Sequence, residues 1–558
     1  MGPCAPRTTR RHPPGHPRGR TAQLKPSDAE FITEPSSRRT HRSSLDSPRS
    51  GTEEVGRMTR DARQPSLNED PFTLGVASGD ALPDGVVLWT RLAPRPFEPG
   101  SGLPPGGCLT VQWELAHDER FRDVARRGEF LAHADDDYSV HVDVTGLAPA
   151  RTYWYRFRTG PWISPTGRTR TTPAPTASPA RARVGLASCQ QYDEGYYTAL
   201  AHLAEEDLDA VLFLGDYIYE NEINAQAGAR GYTGDRQLPE VFDHWLTTLD
   251  QYRLRYALGK SDPDLQAAHA AHPWYVTWDD HEVENNYAAA VSQNNLPTDE
   301  FLLRRAAAYR AYWENMPLRA GRRPSGPDLP FYRRFQHGGL AQFDILDTRQ
   351  YRSDQAYGDG WKYPGPESED PARTITGAEQ ESWLLDGFRR SDATWNVLVQ
   401  QVAFCRRKAN TGRSRVSMDA WDGYPASRQR VLHGARDAGI ANLVVLSGDV
   451  HVHYAMDIKE DFDDPASRTL GVEIVGTSVS SGFDGVEKPD DWENALAVNP
   501  HMKYYEERRG YVVVTLTPEQ VRADFRTIPY ATRPGAPVAT DAVFVSAAGA
   551  PGFTRVPG

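Results

Sequence analysis

The stretch "LFLGDYIYE", residues 212–220, carries an apolar β-type run into a glycine, an aspartate and, three residues later, a tyrosine. A strand that is apolar on both faces belongs to a sheet covered by helices on both sides. A polar tip on such a strand lies where ligands collect in open α/β sheets, outside the carboxyl ends of the strands. The same order of apolar strand, polar tip and helix recurs in "ARVGLASCQQ", "PWYVTWDDHEVENNY", "AQFDILDTRQY", "TWNVLVQQ", "ANLVVLSGDVHVHYA" and "LGVEIVGTSVSSG". The pattern predicts an α/β domain over 183–535. Helices are expected at 196–204, 246–258, 302–314 and 377–388, the last opened by a Thr376 cap with Glu379 three residues on.

Upstream the periodicity changes. "GVVLWTRL", "LTVQWELAHD", "YSVHVDVTGL" and "TYWYRFRT" are short β-type runs between Gly, Pro and Asp turns, which reads as a β-sandwich over 66–172. In "GLAPARTYWYRF" a Leu-x-Pro turn precedes alternating aromatics, the pattern of a tyrosine corner. "TTPAPTASPA" closes the segment, with a linker over 173–182, and residues 536–558 read as a tail. Residues 1–65 are rich in Arg, Pro, Ser and Thr and read as a disordered leader, with Met58 an alternative start. Arg10-Arg11 resembles half of a twin-arginine signal, yet no apolar signal core follows it.

Charge narrows the function. The leader carries 13 Lys+Arg against 7 Asp+Glu, leaving 50 against 68 in the remaining chain, which argues against a nucleic-acid groove. No apolar run is long enough for a membrane-spanning helix. Four cysteines, scattered at 4, 108, 189 and 405, do not make a disulfide framework.

The polar tips concentrate unusual chemistry: Cys189; Asp216 with Tyr219; Asp279, Asp280, His281 and Glu282; Asp449 with His451 and His453. Several carboxylates buried at one sheet edge cost several kcal/mol per ion, by order of magnitude, unless cations compensate them. In G-D-x-x-Y the Asp leaves the strand and the Tyr lies one turn further on the same side, so both reach one ion. A phenol titrates near 10, so a tyrosinate ligand at neutral pH asks for a strongly Lewis-acidic partner such as ferric iron. Asp449, His451 and His453 share strand parity, and His453 is expected past the tip, behind the ligands.

These residues resemble a family. "GDYIY", a downstream D-H-E and "GDVHVH" look like the motifs of the metallophosphoesterase superfamily. "FTLGVASGD", "VVLWTRLAP", "ASCQ", "TWDDHEVENN", "VVLSGDVH", "VGTSVSSG" and "NPHMKYYEERRGYV", in this order, resemble its PhoD-like alkaline phosphatase and phosphodiesterase family, which includes a metal-dependent phospholipase D branch. The resemblance implies a four-layer αββα sandwich preceded by a small fibronectin/Ig-like β-sandwich domain. It implies a ferric site of Cys189, Asp216 and Tyr219 completed by Asp449 or His451, and a second site for Ca2+ or another divalent ion, with Asp216 bridging. Asp280 stands where the superfamily has a metal-binding Asn, with Asp279 as the competing ligand. His281 matches the catalytic His that contacts phosphate or protonates the leaving group, and Asn285 is a candidate substrate contact. Cys189 and Asp449 depart from the wider superfamily, which has Asp or His and then His at those places.

The implied reaction is hydrolysis of a phosphate mono- or diester by attack of a metal-bound hydroxide on phosphorus. Two other readings compete: a calcium-loaded binding protein without catalysis, and a different non-haem iron enzyme. Calcium sites use oxygen ligands and gain nothing from a thiolate, and iron oxygenases favour two His and one carboxylate. The family is usually exported, whereas this leader lacks an apolar signal core, so an extracytoplasmic and a cytoplasmic location both stand. Neither the preferred ester nor the oligomeric state is encoded by a motif.

Overall fold

Residue alternation along the strand Ala210–Phe213 explains the layering of the computed structural model. Ala210 and Leu212 face a core shared with Phe343, Val397, Val444 and Ile474 from a second sheet. Val211 and Phe213 face the opposite way, into a core with Leu200, Tyr256, Leu265 and Tyr309 from helices. Each sheet is thus apolar on both faces, and each large side chain buried this way contributes roughly 1.5–3 kcal/mol. The structure describes residues 67–223, 228–230 and 240–557, and the leader read over 1–65 lies outside them.

The first sheet has ten strands. Its centre is the parallel set Ala182–Ala187, Ala210–Phe213 and Pro273–Val276. The second has seven, around parallel Ala341–Ile345, Trp395–Val399, Leu443–Ser447 and Thr469–Val475. Helices Thr198–Glu205, Leu249–Lys260, Pro263–Ala271 and Thr298–Asn315 contribute to the core outside the first sheet. Ala378–Arg390 and Pro425–Asp437 contribute to that outside the second. Helix, sheet, sheet and helix are therefore stacked as four layers. Among the described residues no helix is long and apolar enough to cross a membrane.

Two readings of the sequence, the tail over 536–558 and the Thr376 cap, need correction, and a third gains detail. The segment 66–172 forms the β-sandwich read from the sequence, and one of its sheets runs on into the larger one. Its strand Val76–Leu82 pairs in parallel with Pro273–Val276, and Gly85–Arg91 and Ser139–Thr145 follow, so three of its strands extend the ten-stranded sheet. Cys108–Ala116, Val124–His133 and Thr152–Thr159 form the separate sheet beside them. Residues 536–558 are not merely a tail, because Ala539–Ala547 and Ala550–Val556 add two antiparallel strands at the other edge. Strand pairing across long sequence separation has no local signature, which is why both joins were invisible.

Thr376 does not cap the helix Ala378–Arg390. The N-cap is Gly377, at φ +72, without a side-chain cap. Gln380 explains the change: its amide donates to the carbonyls of Thr376 and Asp347, both at 2.8 Å, and takes over the organisation of that turn. The tyrosine corner does form, with the Tyr153 hydroxyl accepting the Ala148 N–H at 3.0 Å.

Candidate metal centre

The ends of both central sheets meet at one edge. Ala182–Ala187 leads to Cys189, Ala210–Phe213 to Asp216 and Tyr219, Pro273–Val276 to Asp279, Asp280 and His281, and Leu443–Ser447 to Asp449 and His451. Cys189, Asp216, Asp449 and His451 all adopt left-handed backbone, with φ of 58, 56, 68 and 55. Such conformations cost about 1–3 kcal/mol each in L residues and gather where function demands them. Gly215, at φ +105, permits the close approach of two strand tips, since a Cβ there would stand 2.3 Å from the Asp279 nitrogen.

Three overlapping groups have ligand atoms within 4.8 Å of one another: Cys189, Asp216 and His451; Asp216, Asp280 and His281; Asp279, Asp280 and Asp449. Asp216 belongs to two of them. The Tyr219 hydroxyl donates to Asp216 Oδ2 at 2.9 Å, accepts from Ser481 Oγ at 2.7 Å and lies 3.3 Å from His451 Nε2. Asp216 Oδ1, Asp279 Oδ2 and Asp280 Oδ1 are buried without a hydrogen-bond partner. Buried carboxylate oxygens left in this state are costly, and cations satisfy them. The donor set therefore fits metal ions, with a thiol, a phenol, an imidazole and a carboxylate on one side and mainly carboxylates on the other.

Electrostatics agree with this fit. Burial, then neighbouring carboxylates, push Asp216 well above the ordinary carboxylate range; burial and Asp279 do the same to Asp449. Burial and Asp216 raise both the Cys189 thiol and the Tyr219 phenol. Burial carries Asp279 up to about 7 against the pull of Arg349. It drives His451 down to about 3, leaving a neutral imidazole whose lone pair can bind a metal. For Asp280, burial is outweighed by Arg349 and His281, which hold it below its usual value. For His281, burial is outweighed by Glu220, Asp216 and Asp280, which favour the imidazolium.

A pH dependence follows. Asp216, Asp279 and Asp449 have raised folded-state pKa values, so their contribution to stability is full below their unfolded values near 4 and fades as pH rises through the folded ones. Metal-stripped protein is expected to melt several degrees lower at pH 8 than at pH 5.5 in calorimetry with chelator. Divalent metal at pH 8 is expected to restore the difference, because it binds the ionised form. A melting temperature that rises with pH in chelator contradicts this electrostatic account.

Several neighbours of these residues were given no role in the sequence reading. Glu220, left unassigned there, accepts from His281 Nδ1 at 2.6 Å and from the Asn285 N–H at 2.7 Å. Glu282 accepts the backbone N–H groups of Asp216, Tyr217 and Asp279 at 3.1, 2.7 and 2.8 Å, binding two strand tips together. Arg349, from the tip "DTRQY", is fully buried; it donates to Asp279, contacts both Asp419 oxygens at 2.7 and 2.9 Å, and reaches Asp449 at 3.4 Å. Acidic residues at neighbouring tips were the available signal for an arginine partner. "VGTSVSSG" supplies Ser481, which walls the Tyr219 side.

Other candidates fall outside the ligand groups. His453 is held by backbone, with Nδ1 accepting from Thr477 at 3.1 Å and Nε2 lying 3.2 Å from the Arg526 carbonyl. The Asn285 side-chain amide donates to Gln293 at 2.6 Å, beside the centre and outside the three groups. Arg508 pairs with Glu506 and Asp541, while Arg509 binds the carbonyls of His451, Ser481 and Glu507.

Comparison with known proteins matches this architecture. The family model described as PhoD-like phosphatase matches residues 184–525, and that of the PhoD-like phosphatase N-terminal domain matches 58–173. The chain belongs to the PhoD-like phosphatase family. It is 49% identical over 482 residues to alkaline phosphatase D of Bacillus subtilis (strain 168), covering 86% of this chain and 82% of that protein. A solved structure described as "Structure of PhoD" superposes with a TM-score of 0.85 at 47% identity, covering 88% of this chain and 94% of that one. PhoD-like architecture thus accounts for the paired sheets and for the N-terminal segment together.

Proposed function

We propose that this PhoD-like chain hydrolyses phosphate esters at the centre formed by Cys189, Asp216, Tyr219, Asp280, His281, Asp449 and His451. The observation that carries the reading is the convergence of three overlapping ligand groups at one sheet edge, with buried carboxylate oxygens that have no hydrogen-bond partner. Cys189, Asp216, Tyr219 and His451 suit Fe3+, since a thiolate and a tyrosinate both favour a strongly Lewis-acidic ion. Asp216, Asp280 and Asp449, with Asp279 beside them, suit Ca2+ or another hard divalent cation. When bound, the ions supply Lewis acidity, neutralising phosphoryl charge and lowering the pKa of water towards neutrality.

The protein's own part is positioning and proton transfer. His281 is the acid: its ring lies tilted by 32° against Tyr219 with centroids 4.2 Å apart, its Nδ1 is anchored on Glu220, and its side chain is 20% exposed, so the other ring nitrogen is left to face a substrate. An imidazolium there hydrogen-bonds a phosphoryl oxygen or gives its proton to the departing alcohol. Glu282 and Gly215 keep the tips in register while this happens. The competing reading as a calcium-loaded binding protein leaves the Cys189 thiol and Tyr219 phenol without a purpose.

Two measurements test the proposal. Protein reconstituted with iron and calcium is expected to show a visible absorption band from tyrosinate-to-iron charge transfer, which Tyr219→Phe abolishes. Colourless protein that is fully active with zinc alone defeats the ferric assignment. Glu220→Gln is expected to lower kcat about 10–100-fold, the usual range for an outer partner of a metal-site residue. It also moves the alkaline limb of the pH–rate profile to lower pH, because the amide removes the leading attraction that keeps His281 protonated. An alkaline limb that stays in place excludes His281 as the acid.

A further inference from the structure

The arginines around the centre differ in one respect. Arg349 is taken up by carboxylates and Arg509 by carbonyls. Arg407 is only 9% exposed, yet among the described residues no carboxylate lies within ion-pair distance of it; its Nε, like that of Arg509, is buried without a hydrogen-bond partner. Its guanidinium carbon lies 5.7 Å from the Trp361 ring and 5.9 Å from the Tyr454 ring, with the Tyr454 hydroxyl as its polar neighbour and Asp422, then Asp449, within electrostatic reach. A desolvated guanidinium with unused donors is a receptor for a planar or tetrahedral anion.

Trp361 extends this feature outward. Its ring is 43% exposed, and Tyr363, 47% exposed, has the Arg413 guanidinium 5.1 Å from its ring. The short strand Trp361–Lys362 is anchored to the centre on two sides. Asp359 accepts from Asn286 Nδ2 at 2.7 Å, and the Asn286 N–H donates to Asp280 at 2.6 Å. Trp361 and Lys362 also pair with Ser417 and Val416, and the Met418 N–H donates to Gly360 at 3.0 Å, immediately before Asp419. The segment 405–417, "CRRKANTGRSRVS", carries five Arg and Lys and no Asp or Glu, in a chain of net charge −12. Arg406 and Lys408 are taken up by Asp463, which leaves Arg407, Arg413 and Arg415 as the cations of this segment beside the acidic cluster.

We propose that Arg407 and Trp361 form a leaving-group subsite, selecting esters whose departing alcohol joins a flat ring to a further anionic group such as a second phosphate. The ring lies on Trp361 and the anion is clamped by Arg407, while the ester phosphate occupies the metal centre. This rests on the hydrolase reading above and adds the chemical class of its substrate.

Adenosine 5′-phosphate and adenosine 3′,5′-bisphosphate share a ring and differ by one phosphate, and glycerol 3-phosphate has no ring. With metal-loaded protein, kcat/KM from phosphate release is expected to be about tenfold higher for the bisphosphate than for the monophosphate, in the range of one charge-assisted contact. Arg407→Gln is expected to bring that ratio to one or below, and Arg407→Lys to retain part of it. Trp361→Ala, at an exposed position, is expected to raise KM for both nucleotides about tenfold relative to that for glycerol 3-phosphate. A wild-type ratio of one, or a ratio unaltered in Arg407→Gln, overturns the subsite while leaving ester hydrolysis standing. Failure of the wild type to cleave any of the three esters overturns the subsite, and failure on bis(4-nitrophenyl) phosphate as well overturns the hydrolase reading with it.

Discussion

Asp216→Asn is expected to lower kcat for both 4-nitrophenyl phosphate and bis(4-nitrophenyl) phosphate by about three orders of magnitude, with calcium supplied in excess. That is the upper part of the range for deleting one electrostatic element of an active site. Asp216 is common to the ligand group of Cys189 and His451 and to that of Asp280 and His281. Its Oδ2 accepts from Tyr219, and its Oδ1 has no partner within the protein. The amide keeps the shape of the side chain and the backbone N–H bond to Glu282. It removes the negative charge that two ions would share. Loss of bound metal, measured by plasma emission, should accompany the loss of turnover, and unchanged turnover defeats the proposed centre.

Arg349→Met is expected to destabilise the metal-free protein by about 3–5 kcal/mol in urea unfolding, the usual cost of removing one partner from a buried ionic network. The guanidinium is fully buried among Asp279, Asp280, Asp419 and Asp449. It holds strand tips of the two sheets in one arrangement, because Asp279 follows a strand of the first and Asp449 a strand of the second. Arg349→Lys should recover only part of the loss, since a point charge cannot bridge Asp279 and Asp419 at once. Divalent metal should restore stability in both variants by supplying the missing positive charge. A loss below about 1 kcal/mol in Arg349→Met, the level of a surface pair, contradicts the role assigned to this network.

The legible part of the site was the part written on single strand ends. Cys189, Asp216, Tyr219, Asp279, Asp280, His281, Asp449 and His451 each follow an apolar run at a spacing that exposes the side chain at the tip. All were readable as candidates. Asn285 was read as a candidate substrate contact because of its place after His281, and in the structure its Nδ2 donates to Gln293. Thr376 looked like a cap, but Gln380 governs that turn.

The sequence by itself determined the layered α/β architecture, the strand tips and the chemical types gathered on them, because alternation of apolar residues and short Gly-Asp-x-x-Tyr spacing act over a few residues. Only the tertiary structure decided which tips come within 4.8 Å of one another, that Glu220 holds His281 across 61 residues, and that Ser481 meets Tyr219 across 262. It also decided that the first strands and the last ones extend one ten-stranded sheet. Contacts of that range depend on how two sheets close face to face, and packing of this kind leaves no periodic mark along the chain.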